Sequence, residues 1–124
     1  MMNRARQNHG CSVANFKGSL TVFVVGGWNG NDYIDSVEVF NVKDDKWKTF
    51  SSKLPVPLYD LQVVPARCLK YHMYAVGGIG DWGVKTTIYG LNKNEEWEHV
   101  DDLQHARQKH STINMQLKDI PGCQ

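Results

Sequence analysis

The sequence predicts an all-β fold built from a repeated four-stranded antiparallel unit. Three observations carry this expectation. Short β-branched and aromatic runs alternate with turns rich in Gly, Asn and Asp, which is the pattern of successive strands. One pattern is written twice, with Gly26-Gly27 returning as Gly77-Gly78 after 51 residues and Trp47 returning as Trp97 after 50. No stretch sustains a capped 3.6-residue apolar period, so no helix is expected.

The elements follow in order. Residues 12–16 form a first strand before a turn near Gly18. Residues 20–25 are nearly all apolar and end at Gly26-Gly27, as suits a strand buried on both faces. Residues 35–42 alternate, placing Val37 and Val39 on one face and Glu38, Phe40 and Val42 on the other. A polar hairpin turn at 43–46 leads to a fourth strand at 47–50. The second unit repeats the plan with strands at 61–66, 71–76, 86–91 and 97–100, and with a turn at 92–95. A third copy starts where Ala106-Arg107-Gln108-Lys109-His110 echoes Ala5-Arg6-Gln7-Asn8-His9. The expected organisation is thus one repeat region over 1–124. Its first unit lies at about 11–51, its second at about 60–101, and the first strand of a further unit at about 110–117.

Composition bounds the function. The chain has 124 residues, 41% hydrophobic and 22% charged, with net charge +1. Its basic residues are scattered, which gives no reason to expect nucleic acid or an acidic membrane as partner. The polar N-terminal stretch lacks the apolar core of a signal peptide, and no apolar run approaches the ~18 residues of a membrane span. Cys11, Cys68 and Cys123 are odd in number and widely spaced. We therefore expect reduced thiols in a cytoplasmic, intracellular protein.

The apolar run ending in Gly-Gly, the later aromatic, the Trp and the Arg-x-x-His at the next start together resemble the kelch repeat. The signature residues are Arg6, His9, Gly26, Gly27, Phe40 and Trp47, then Gly77, Gly78, Tyr89 and Trp97, then Arg107 and His110. The resemblance runs from Arg6 to about Leu117. It implies a partial kelch-type β-propeller whose four-stranded antiparallel blades pack radially. In such blades Gly-Gly ends the second strand where the backbone is crowded, the Trp fills the space between blades, and Phe40 or Tyr89 packs beside it. Two departures stand out. Leu58 and Leu61 occupy the Arg and His positions of the middle junction, and Tyr89-Gly90-Leu91 replaces Phe40-Asn41-Val42, which should weaken that strand. A propeller closes with about 4–8 blades, so the expectation is that these residues belong to a longer protein, or that the chain self-associates through its uncovered blade faces.

Candidate sites are each weighed against a plainer role. The glycines at 26–30 precede a loop and a strand, whereas a phosphate loop opens a helix, so a structural turn is expected. The five His and three Cys lack metal-ligand spacing, and no metal or other cofactor is expected. The acid pairs Asp44-Asp45 and Glu95-Glu96 sit at hairpin tips, where solvent prevents a desolvation shift; no G-x-S-x-G nucleophile motif occurs. No catalytic residue is expected. The recurring Arg6/His9 and Arg107/His110 pairs suit a fold role. Partner-binding candidates are Trp28, Asn29, Asp32, Tyr33, Asp81 and Trp82 in the loops after Gly-Gly, because exposed aromatics on a rigid scaffold suit recognition. Packing over the blade top is their alternative. The resemblance adds Gln7, Asn8, Tyr59, Asp60, Gln108 and Lys109 in the loops that lead into each first strand.

The family resemblance therefore implies a protein-interaction module rather than an enzyme. Its partner would be a ubiquitin-ligase substrate or a cytoskeletal protein such as actin. Cullin contact would require a BTB-type domain outside these 124 residues. A copper oxidase similar to galactose oxidase needs converging Tyr and His ligands, which the sequence does not offer.

Overall fold

A computed structural model describes residues 2–66 and 69–103. The described residues form two four-stranded antiparallel sheets and one small hairpin. The first sheet contains β1 (Gly10–Phe16), β2 (Ser19–Val25), β3 (Val37–Asn41) and β4 (Lys46–Thr49), paired in chain order. The second contains β5 (Gln62–Pro65), β6 (Tyr71–Val76), β9 (Thr87–Asn92) and β10 (Trp97–Asp102), in the order β5-β6-β9-β10. Between β6 and β9 lies a hairpin of β7 (Ile79–Gly80) and β8 (Gly83–Val84) that the sequence pattern did not announce. The fold is all-β. The strand expected near 110–117 lies outside the described residues.

Local chemistry sets each turn. Lys17 and Gly18, both with positive φ (51° and 80°), join Phe16 to its partner Ser19. This is the backbone of a two-residue hairpin whose twist matches its strands. At the β3–β4 hairpin the Asn41 side-chain oxygen accepts from the Lys43 and Asp44 amides (2.9 and 3.1 Å), and Asp45 turns the chain at φ 55°. The β9–β10 hairpin repeats this with Asn92, which accepts from Asn94 and Glu96, and with Glu95 at φ 63°. Asn serves both because its side chain closes a turn that mimics the backbone.

The Gly-Gly pairs end β2 and β6 as expected. Gly26 and Gly27 have φ 67° and 113°, and a Cβ on Gly26 would stand 2.4 Å from the Leu58 carbonyl oxygen. Only a residue without Cβ can take this turn beside that backbone.

The two sheets pack face to face, with β1 beside β5 and β6. Contact between β1 and β5 is close: a Cβ on Gly10 would lie 2.3 Å from Val63 Cγ2. The shared core contains Phe23, Val25, Val37, Phe50, Leu54, Leu58, Leu61, Val63, Met73, Leu91 and Trp97. Phe16, Phe23 and Phe50 meet edge to face at 5.4–5.7 Å, a favourable arrangement of ring quadrupoles. Leu58 (1% exposed) and Leu61 (5%) show why the middle junction is apolar: they lie inside the layer between blades.

Three expectations are sharpened by the structure. First, Val25 pairs with Val37 as Val76 pairs with Ile88, and Gly26 N donates to Ser36 O as Gly77 N donates to Thr87 O. Tyr89 therefore corresponds to Glu38, and the counterpart of Phe40 is Leu91. Leu91 faces Trp97 across the strands as Phe40 faces Trp47. Aromatic identity had suggested a match that the pairing register does not keep.

Second, only Trp97 fills the layer between these blades; Trp47 is half-buried and packs on Phe40 at 5.2 Å. Each Trp lies on the same side of its own sheet. For the second sheet that side faces the first, and for the first sheet it faces away from the second.

Third, Gly90 lies within the six-residue strand β9, whose pairing with β6 and with β10 shifts register nearby. Its missing Cβ makes room for the Tyr71 ring, which would otherwise be 2.6 Å from it.

Candidate functional site

Strand direction puts two sets of loops at opposite ends of the blades. The β1–β2, β3–β4 and β9–β10 turns share one end, where Lys17 Nζ reaches Glu95 Oε2 across the blades (3.3 Å). The segment before β1, the β2–β3 loop, the β4–β5 connection and the β7–β8 hairpin share the other. All the described partner-binding candidates sit at this second end.

Backbone hydrogen bonds build that face, and they repeat. Gln7 and Trp28 exchange two bonds, N to O, at 2.9 Å each. Tyr59 and Ile79 do the same at 2.9 and 2.7 Å. In each unit the residue leading into the first strand is thus tied to the residue after Gly-Gly. Two further bonds join the units: Asp60 N to Asn8 O (2.7 Å) and Gly27 N to Leu58 O (2.7 Å). Asn8 and Asp60 make equivalent left-handed turns, φ 56° and 54°, a conformation that Asn and Asp tolerate best among residues with a Cβ. The β2–β3 loop is fixed internally, since Asn29 Oδ1 accepts from the Asn31 and Asp32 amides (2.9 and 2.8 Å).

The result is a cleft of about 710 Å³ between the loops of the two units. Tyr33 and Tyr59 pack ring against ring at 4.9 Å and 41°, and Trp28 forms a third aromatic wall. Asp32, Asp60 and Asp81 line it as well. Burial chiefly, then Tyr33 and the Asp60 charge, pushes the Tyr59 phenol above its ordinary pKa. Tyr59 therefore stays neutral and able to donate across the physiological range. Gln7 and Asn29 border an adjoining hollow beside Trp28. Trp82 lies at the tip of the β7–β8 hairpin, 99% exposed and at φ 72°. Of the candidates, Gln108 and Lys109 fall outside the described residues, as do Arg107 and His110 of the repeat signature. Sequence reasoning missed Gly30, Asn31 and Ile79, which complete the wall.

Arg6 and His9 are not part of this cleft. The Arg6 side chain is fully buried and holds Glu38 at 2.7 Å, and its other nitrogen donates to the Gly26 and Ser36 carbonyls at 2.9 Å each. Glu38, 1% exposed, also accepts from the Asn3 and Arg4 amides. This clamp fixes the end of β2 and the start of β3. Burial lowers the Arg6 pKa and Glu38 offsets that shift. The sequence signal for Glu38 was one acid within an apolar strand. Among the described residues no group of three His, Cys, Asp or Glu could hold a metal ion.

Residues 7–54 match a family model described as Kelch motif. The chain carries a kelch motif. The second unit, from β5 to β10, repeats the strand order, the Gly-Gly turn and the Asn-closed hairpin of the first. Among curated proteins the chain is similar to "Kelch repeat and BTB domain-containing protein 2" of Cowpox virus (strain Brighton Red), 25% identical over 104 residues. That match covers 82% of this chain and 17% of the relative. The protein of the same name in Horsepox virus is 24% identical over 104 residues, covering 82% of this chain and 18% of the relative. The chain therefore spans less than a fifth of the length of these relatives.

Proposed function

We propose that this chain is a protein–protein interaction module that receives its partner on the loop face bearing the aromatic cleft. One observation carries the reading: the lead-in and post-Gly-Gly loops of both units are locked into a single concave surface. A preformed surface of this kind binds without first ordering its own loops. Exposed Trp and Tyr at its rim supply large contact area at low conformational cost.

The names of the two viral relatives couple kelch repeats to a BTB domain. We propose further that such a module, joined to a BTB-type domain that supplies the cullin contact, serves substrate recognition for a ubiquitin ligase in the cytoplasm; the names of the relatives support the pairing with a BTB domain alone. The test is site-specific photo-crosslinking in cells. Benzoylphenylalanine at position 82 or 33 should give protein adducts, and the same probe at position 43, at the opposite end, should not. Adducts formed only at position 43 would reject the loop face.

A further inference from the structure

We propose that the cleft between the two units selects a cationic side chain, arginine above lysine, on an exposed segment of the partner. The proposal rests on the interaction reading above and deepens it.

The walls are aromatic. Tyr33 and Tyr59 present a tilted ring pair with centroids 4.9 Å apart, and Trp28 stands beside them. A guanidinium is planar and weakly hydrated, so it stacks on such faces and is attracted by their quadrupoles when within about 6 Å of a centroid. The polar part of the lining is acidic. Asp32 and Asp81 are acidic, Asp60 beside them already holds an interaction within the chain, and no Lys or Arg is among the described residues that line the cleft. This is a local property, because the whole chain carries 14 basic and 13 acidic residues. An anionic segment would lose its hydration and meet like charge, whereas a guanidinium could stack and donate paired N–H bonds to a carboxylate.

Size and spacing separate this occupant from a metal ion. The volume of about 710 Å³ is that of an organic ligand site. Among the described residues no group of three His, Cys, Asp or Glu could hold a metal ion. The loops that carry them are held by backbone bonds, from Gln7 to Trp28, Tyr59 to Ile79 and Asp60 to Asn8. The loops that carry the charges are thus ordered before a partner arrives.

The test is fluorescence anisotropy with labelled Gly-spaced hexapeptides bearing Arg, Lys or Glu, at low and physiological salt. We expect the Arg peptide to bind tightest, the Lys peptide more weakly and the Glu peptide not at all. Asp32→Asn/Asp81→Asn should weaken the Arg peptide at least tenfold, as should Tyr33→Ala, while Asp44→Asn at the far hairpin leaves it unchanged. Equal binding of Arg and Glu peptides would overturn the proposal, as would an unchanged affinity in Asp32→Asn/Asp81→Asn. If Tyr33→Ala alone abolishes photo-crosslinking to the cellular partner while the charge variants do not, the cationic preference is wrong and the interaction face stands. If no loop-face variant alters crosslinking, both readings fall.

Discussion

Replacing Arg6 by Leu and Glu38 by Tyr, singly and together, tests how the first blade is held. The two side chains are 0% and 1% exposed and 2.7 Å apart. Removing either partner leaves the other buried and without its counter-charge, which costs about 3–5 kcal/mol. Independent effects would therefore sum to roughly 6–10 kcal/mol in the double variant. We expect much less, because the second blade already carries the apolar solution. Leu58 stands at the position of Arg6 and Tyr89 at that of Glu38; Leu58 belongs to the core between blades and the partly buried Tyr89 packs against it. The double variant should lose only about 1–3 kcal/mol, mainly from the Gly26 and Ser36 carbonyls that lose their Arg6 donors. Urea denaturation followed by Trp fluorescence gives the cycle. Additive losses within about 0.5 kcal/mol would refute the reasoning, since the pair would then not act as one unit.

Trp97→Ala should cost about 3–5 kcal/mol in the same assay, and Trp47→Ala about 1–2 kcal/mol because its ring is only half-buried. Equal losses would show that the two Trp residues are equally enclosed. Gly10→Ala should lower stability by about 1–3 kcal/mol through overpacking against Val63, and Val63→Ala in the same chain should restore part of it. Stability should also fall as pH drops below the ordinary histidine range. His9 and His72 both have lowered pKa values, chiefly through burial, then through Arg6 and Lys93 respectively. Their neutral forms are favoured in the folded chain, so their contribution is present above about pH 6.5 and is lost as the pH falls toward their folded values. Urea midpoints at pH 8 and pH 5 should converge in His9→Asn/His72→Asn; an unchanged difference would assign the acid sensitivity elsewhere.

The strands were legible because alternation, β-branching and Gly-Gly punctuation are local. Both Asn-closed hairpins read as polar turns for the same reason. The β7–β8 hairpin was not, since two residues per strand are too few to show a period. Glu38 could be marked as an acid in an apolar strand, but its partner lies 32 residues away. Tyr89 misled because residue type was given more weight than the constant 51-residue offset joining Gly26 to Gly77 and Asn41 to Asn92. For the site, loop membership was readable from sequence, since the topology sends those loops to one end. The pairing of Tyr33 with Tyr59 was not, because it depends on how two blades meet.

The distinction between blade and cleft bears on how recognition can change in this chain. The two units hold equivalent places with different chemistry, an ion pair in one and Leu with Tyr in the other, while the strand order is the same. The fold thus tolerates exchange where partners are exchanged together. The cleft is tied differently: its loops are held by main-chain bonds at Gln7, Trp28, Tyr59, Ile79 and Asp60. Those bonds do not depend on which side chains project into the cleft. Tyr33 and Asp32 can therefore vary without unlocking the surface that presents them, and partner choice can change at small cost to stability. Trp82 is the extreme case. Its ring is almost wholly exposed, and its positive φ is a conformation that Gly would adopt with less strain. The folded chain gains little from a Trp there, so Trp82→Gly should leave the urea midpoint unchanged or raise it, while under the proposed function it should weaken partner capture.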